Sequence, residues 1–423
     1  MADTPRPTPP PVPVPVPVPP DDLTLLNGCY LEAQRSDDIW SKLEGLRVAI
    51  SQPPNSALAV TIAEIRSGAR FLRHLADVAQ VHRDQIQFVL NHLNTLLPCL
   101  SRSLRDIQSH YEDRSRSTQA RWRDMYCILT KEAAGQPLPM RFGMYNRYIL
   151  LLRNVLLRSA DFDLSAMESL RRDVFRLREA RGLATPLVAK PSPVMLRHTG
   201  FLYEVDTTPH WAENVFSTPL SCKTPLKDVG RTKSFGPHKR MGGHSIPMNS
   251  RIYFRQSFDQ DNVSLTVFNN SQNNSAYLLL RMLKDNTPGF SLRGAHRLCV
   301  EREGSSLRLM RWSASDNASK LWAELYFRSW EELVLMYCTF ISLKAHSCLT
   351  RQFCAEELCL QGERKVFSAL IWDDGFYHAL LVYEEEASHN IRLHAAVWEG
   401  PLRQCPVWTI FSESFGQEGE IDS

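Results

Sequence analysis

The chain has 423 residues, 43% of them hydrophobic, which is enough for two or three domains with real cores. Its formal net charge of +3 is too near neutral for a general nucleic-acid or membrane-binding surface. No apolar run approaches the ~20 residues that a membrane-spanning helix needs.

Prolines divide the chain: ten lie in residues 1–20, eight in 183–250 and eight elsewhere. Residues 5–20, PRPTPPPVPVPVPVPP, read as an extended polyproline II tail. Pro10 to Pro13 near Arg6 form a PxxP element suited to the aromatic grooves of SH3, WW or profilin-like proteins. The same composition also suits a solubilising disordered tail with no dedicated partner.

Residues 21–182 are helical in pattern. Asp21 or Asp22 caps a first helix through about Ile50, ended by Pro53-Pro54, and a second runs from Ser56 to Ala79. Ile86, Leu90, Leu93, Leu97, Leu100, Leu104, Ile107 and Tyr111 are spaced 4-3-4-3-4-3-4, a coiled-coil-like heptad seam. Pro98 is expected to kink or interrupt it. Trp122, Met125, Tyr126 and Leu129 continue it on a shifted face, and two more helices follow over 140–158 and 164–181. The seam serves either as the core of an antiparallel bundle within one chain or as a parallel homodimer interface. The short GQPLP connection at 135–139 favours the bundle.

Residues 183–250 read as a Pro-rich, regulatory linker. A basic patch, Lys223, Lys227, Arg231, Lys233, Lys239 and Arg240, is opposed only by Asp228. Five Ser/Thr-Pro pairs lie here, at Thr185, Ser192, Thr208, Thr218 and Thr224, and Ser234 follows Arg231 by three residues. Thr218, Thr224 and Ser234 are the phosphorylation candidates, each phosphate adding roughly 1.5 to 2 negative charges to the patch. Three readings stay open for the patch: contact with an anionic membrane face, a weak nuclear-import or nucleic-acid patch, and a plain solvated linker.

Beyond residue 250 the pattern turns to strands. Six are expected: 252–258, 263–268, 277–283, 298–300, 307–312 and 321–327. In the last, Leu321, Ala323, Leu325 and Phe327 share the inner face, with Trp322, Glu324 and Tyr326 outside. Ser329 then caps a helix in a capping box with Glu332, while Glu331 and Glu332 suit the positive helix end. Leu333, Met336, Tyr337, Phe340 and Ile341 form its apolar stripe, and Lys344 suits its C-terminal end. Four more strands follow at 366–372, 376–383, 391–398 and 407–411, the first two joined across Asp373-Asp374-Gly375, a strong hairpin signal. They either extend the first sheet or form a second small domain.

The stretch from Lys320 to Ala345 resembles the end of a pleckstrin-homology (PH) domain: a last strand, a capped Ser, a Glu pair and then an aromatic. Tyr337 stands where that family carries a hallmark Trp, and Trp330 is too early for it. The resemblance implies a seven-stranded bent sandwich plugged at one end by the helix. LWAELYF, MYCTFISLK and the Pro-rich start also resemble a group of filamentous-fungal proteins, which implies no particular activity. PH-like modules that bind phosphoinositides carry several basic residues around the first hairpin. Here Asp259 and Asp261 occupy that turn with only Arg251 and Arg255 beside it, so a protein-interaction role is expected over a strong phosphoinositide pocket.

No P-loop, dinucleotide-binding glycine pattern, HExxH or GxSxG is present. His346, Cys348, Cys354 and Cys359 are of zinc-ligand type, but without a CxxC knuckle their spacing argues against a site. No catalytic residue, cofactor or metal is expected. The ten cysteines have no regular framework, and the start lacks a signal peptide, so cytoplasmic placement with reduced thiols is expected. The cell cortex and the nucleus stay open as locations, and the sequons at Asn262, Asn269, Asn273 and Asn317 are read as unused.

The expected fold class is α+β. A Pro-rich tail (1–20) precedes a helical bundle (21–182) and a basic linker (183–250). A PH-like antiparallel β sandwich with its C-terminal helix (251–346), a β-meander extension (347–415) and an acidic tail (416–423) follow. The expected function is that of a non-catalytic scaffold or adaptor binding proteins. The alternatives are a peripheral membrane protein on anionic lipid and an enzyme of unrecognised type.

Overall fold

The computed structural model describes residues 20–183 and 210–412, apart from positions 52, 54, 55, 84, 114, 116, 160, 218, 219, 221, 222, 249, 286, 314–316, 351, 352, 354, 374 and 401 and the side chains of 20–22. The PxxP tail, Thr185, Ser192, Thr208, Thr218, Cys354, Asp374 and the acidic end lie outside the described residues.

Six helices come first: α1 (Pro20–Ala49), α2 (Ala57–Val78), α3 (Ile86–Glu112), α4 (Thr118–Glu132), α5 (Leu138–Leu156) and α6 (Leu164–Ala180). Short polar residues start three of them. Ser56 accepts from the Ala59 N–H at 3.2 Å, Ser117 from Ala120 at 3.3 Å, and Asp163 from Ser165 at 2.8 Å. The heptad seam lies on α3. Its residues from Ile86 to Ile107 are buried within this chain against the other helices, so the seam is bundle core and is not available as a dimer interface.

Two expectations about α3 need correction. Pro98 does not interrupt the helix, although that residue offers no N–H to the carbonyl four residues earlier, because buried Leu96, Leu97 and Leu100 hold both sides of it. The residues from Trp122 to Leu129 do not extend α3; Ser117 caps a separate helix there.

The β part begins earlier than expected. After α7 (Trp211–Asn214), β1 (Lys233–Ser234) pairs with β8 (Ala318–Tyr326), giving a sheet of order β1-β8-β7-β6 with β6 (Leu298–Glu303) and β7 (Ser306–Ser313). The second sheet has the order β2-β3-β4-β5, with β2 (Arg251–Phe258), β3 (Val263–Asn270), β4 (Ser275–Lys284) and β5 (Thr287–Gly294). Strand β5, missed by pattern, carries Pro288 and Gly289, which an edge strand tolerates. The two sheets face each other over Leu265, Leu280, Leu298, Leu307 and Leu325, and α8 (Trp330–Ala345) closes one end.

A bulge changes one side assignment. Leu309 pairs with Ala323 and Met310 with Leu321, so Trp322 is the extra residue and turns into the core instead of outward. Its Nε1 donates to Ser291 Oγ at 2.8 Å. A Cβ on Gly236 would come within 2.5 Å of this indole, so glycine there lets the segment carrying β1 lie across it. The capping box on α8 is half formed. Ser329 accepts from the Glu332 N–H at 3.4 Å, while the Glu332 side chain meets Lys223.

Strands β9 (Glu363–Asp373), β10 (Phe376–Glu385), β11 (Ile391–Val397) and β12 (Pro406–Phe411) form a sheet of their own, order β12-β11-β10-β9. Phe376 pairs with Asp373 across a two-residue turn in which Gly375 takes φ +81°. The sheet attaches through β12: Ser342 donates to the Pro406 carbonyl at 3.0 Å, and Phe411 meets Trp330 edge to face at 5.4 Å.

Candidate functional site

The bundle lies on the outer face of β2-β3-β4-β5. Phe268, Leu279 and Phe290 belong to the bundle's core, whereas Val263, Leu265 and Val267 point into the sandwich. Strand β3 is therefore covered on both faces. At the centre of this contact Asp77 of α2 is buried. Arg281 Nε reaches it at 2.7 Å, Arg255 Nη2 at 2.7 Å and Ser264 Oγ at 2.7 Å, and the Tyr30 hydroxyl also donates to it. Burial pushes the Asp77 carboxyl upward, but the two guanidinium groups and the two hydroxyl donors outweigh it and hold it down at about 2.

This network consumes the charges of the first hairpin. Arg255 bonds Asp77 and, at 3.3 Å, Asp261; Arg251 pairs with Glu213 of α7. Asp259 in the turn accepts the Thr232 N–H at 2.7 Å. Both basic residues that a lipid phosphate would need are thus held by carboxylates. A cleft of about 550 Å³ remains beside the hairpin, and its charges are mixed. Within it Arg73 pairs with Asp37, and Arg66 stacks over Trp40 at 5.0 Å.

The C-terminal sheet is different on each side. Its inner side closes a cavity of about 280 Å³ against Tyr337 and residues 358–360. In it buried Arg392 pairs with buried Glu363 at 2.6 Å and lies over the Tyr383 ring at 4.5 Å. Burial and the nearby Arg392 push the His394 imidazole down to about 3, so it is neutral at physiological pH. The outer side is apolar and open. By register it carries Phe367, Ala369 and Ile371 of β9, Leu380 and Val382 of β10, Leu393 of β11 and Ile410 of β12. Phe376 is 68% exposed, Ile410 56% and Phe367 52%. An apolar face of this extent marks an interaction surface.

Residues 241–363 match a family model described as a PH domain found in tandem in fungal proteins, and residues 364–418 match a second model with that description. The C-terminal part of the chain is thus a match to tandem fungal PH domains. No curated protein matches the chain. The first PH match covers β2 to β8 and α8, the seven strands and closing helix that the sequence resemblance implied. Its boundary also takes in the short 3-10 turn Ala355–Leu358, and the second match begins inside β9. PH domains are protein- or lipid-interaction modules and are generally non-catalytic. No helix among the described residues is long and apolar enough to cross a membrane.

The stretch read as a linker is, where described, laid against the first β sandwich by backbone pairing, and only its last residues, from 241, fall within the first family match. Phe235 N–H donates to the Trp322 carbonyl at 2.8 Å, and Lys239 pairs with Phe290 of β5. Backbone pairing on the free edges of β8 and β5 outweighs the Pro-rich composition that suggested a loose segment. Lys223, Lys227, Arg231, Lys233, Lys239 and Arg240 are all exposed on it. The hydroxyls are not: Ser234 is buried in β1 beside His238, and Thr224 donates to Glu331 Oε1 at 2.7 Å and accepts from Asn390.

The described residues of zinc-ligand type, His346, Cys348 and Cys359, are not brought together. His346 Nδ1 lies 2.7 Å from the Ser342 carbonyl, Cys348 reaches the Asn273 carbonyl at 3.5 Å, and Cys359 is exposed. Among the described residues no three His, Cys, Asp or Glu side chains are grouped to hold a metal ion. Asp77 and Arg281 escaped sequence reasoning. The available signal was a carboxylate inside the apolar run Leu75-Ala76-Asp77-Val78 of a buried helix face.

Proposed function

We propose that this protein is a non-catalytic scaffold that binds other proteins through the outer face of its second PH domain. The observation that carries the reading is that open apolar face, which runs from Phe376 at the hairpin to Leu393 and Ile410. Its support comes also from the first hairpin, whose arginines are already paired with carboxylates. The partner would present a complementary apolar surface, since His378 and Glu384 are the only polar groups in the β10 and β11 part of the face. Regulation through residues 223–240 belongs to the same reading. A phosphate on Thr224 would face the Glu331 carboxylate and drive that segment off α8.

The test is affinity purification of the full-length protein from its native cells, beside a Phe376→Glu/Ile410→Glu variant. Both positions are exposed, so the fold should tolerate the change. The same set of proteins should be lost from the variant by about tenfold or more, the weight of one or two interface anchors. Undiminished recovery would contradict the reading.

The six exposed cations favour a second reading, attachment to anionic membranes. Each close cation adds about 1 kcal/mol on such a surface. Vesicles containing phosphatidylserine should then sediment the protein at low salt, and Lys233→Glu/Lys239→Glu/Arg240→Glu should abolish it. No sedimentation of the wild type would remove this reading.

A further inference from the structure

Strand β9 is an outer edge of the second PH sheet, bonded to β10 on one side and to no strand on the other among the described residues. From Val366 to Trp372 it has no charge, no proline and no glycine. Leu370 and Trp372 are exposed on one face, and Phe367 on the other. An edge like this is a template for another strand, and the blunting device within the run is a single bulge at Val366, at its start. Only its ends are charged.

We propose that β9 pairs antiparallel with β9 of a second copy, about a twofold axis at Ala369, so that each chain's Arg364 meets the other chain's Asp373. The register follows from symmetry. A twofold axis normal to the sheet keeps each residue on its own face, so paired residues must share a face. Ala369 lies opposite Leu380 in the β9–β10 ladder, Asp373 opposite Phe376 and Arg364 opposite Glu384. Val366 is the extra residue where the register shifts, because Val382 pairs with Phe367 and Tyr383 with Lys365. Counted through that bulge, Arg364 and Asp373 stand equally far from Ala369 and on the same outer face. Phe367 then meets Ile371 on that face, and Lys365 meets Trp372 on the other. Moving the axis to Ser368 sets Arg364 against Ile371, and moving it to Leu370 sets Asp373 against Phe367. Among the residues of β9 itself, Glu363–Asp373, the Ala369 axis therefore pairs opposite charges twice, and its nearest neighbours pair none. Arg364 bonds Glu384 of its own chain at 2.6 Å, but its side chain is 67% exposed, which leaves its remaining donors open to a second carboxylate. The dimer would be one continuous eight-stranded sheet with the two outer apolar faces side by side.

Sedimentation velocity on the full-length protein tests the pairing. The wild type should dimerise, and Arg364→Glu and Asp373→Arg should each weaken the dimer by about tenfold or more. An equimolar mixture of the two variants should form a one-to-one heterodimer. In it the introduced glutamate of one chain meets the introduced arginine of the other, and the remaining Asp373 meets the remaining Arg364. The doubly exchanged chain should dimerise like the wild type. Arg364→Glu also adds a like charge beside Glu384, so Asp373→Arg carries the test independently. A wild type that stays monomeric at its highest soluble concentration would overturn the proposal. So would a dimer indifferent to both reversals, or a mixture that fails to reassociate.

Discussion

Replacing Asp77 by alanine is expected to cost about 3–5 kcal/mol of stability, the cost of breaking a buried ion pair from one side. Arg255 and Arg281 would remain buried against the bundle with no carboxylate between them, and Tyr30 and Ser264 would lose their acceptor. Asp77→Asn should recover little, because an amide brings shape without charge. Tyr30→Phe should cost only about 1 kcal/mol, the net worth of one hydrogen bond. Urea unfolding followed by circular dichroism measures all three. The same contact predicts acid sensitivity. The Asp77 carboxyl is held at about 2 against an ordinary 3.8. Its folded-state value is depressed, so its contribution is fully present above about pH 4 and is lost as pH falls through about 2. Asp77→Ala should lack that part of the acid limb. A loss below about 1 kcal/mol would show that the bundle and the first PH domain do not depend on this contact.

Lys344→Ala is expected to be comparably damaging, because Lys344, at the C-terminal end of α8, does more than complement the helix dipole. It is buried, 2.7 Å from both oxygens of Glu357 and 2.8 Å from the Leu298 carbonyl, and Glu357 also accepts the Val300 N–H at 3.2 Å. The pair ties α8 and the turn after it to β6. Removing the ammonium strands a carboxylate in the core, at about 3–5 kcal/mol. The double variant Lys344→Met/Glu357→Leu should recover at least half of that loss, because neither charge is then stranded. The remainder reflects the Val300 N–H left without its acceptor, about 1–3 kcal/mol. Thermal unfolding of the single and double variants decides between coupling and simple addition. Additive losses would contradict the account of Lys344 as the partner of a buried charge.

What the sequence made legible was local. Ser56 and Ser329 announced helix starts that the fold uses, and Asp373 to Gly375 announced a hairpin at the place where β9 meets β10. The 4-3 spacing on α3 located a buried face, but spacing alone does not say whether that face is covered by the same chain. What stayed hidden depends on contacts between distant segments. Trp322 faces inward because of a bulge against β7, and alternation cannot register an extra residue. Strand β1 has two residues and exists only through its pairing with β8. Asp77 and Arg281 are more than two hundred residues apart, and neither has a neighbour in sequence that announces the other. The outer face of the second PH sheet was legible as strands. That nothing among the described residues covers it could be read only from the fold.

The most direct test of the central claim is hydrogen exchange on the full-length protein, with and without the protein most enriched in the affinity purification and lost from the Phe376→Glu/Ile410→Glu variant. The account predicts new protection over β10 and β11, residues 376–397, with the first hairpin at 251–270 unchanged. Protection confined to 251–270 or to 223–240, with the second PH sheet exchanging as before, would contradict it.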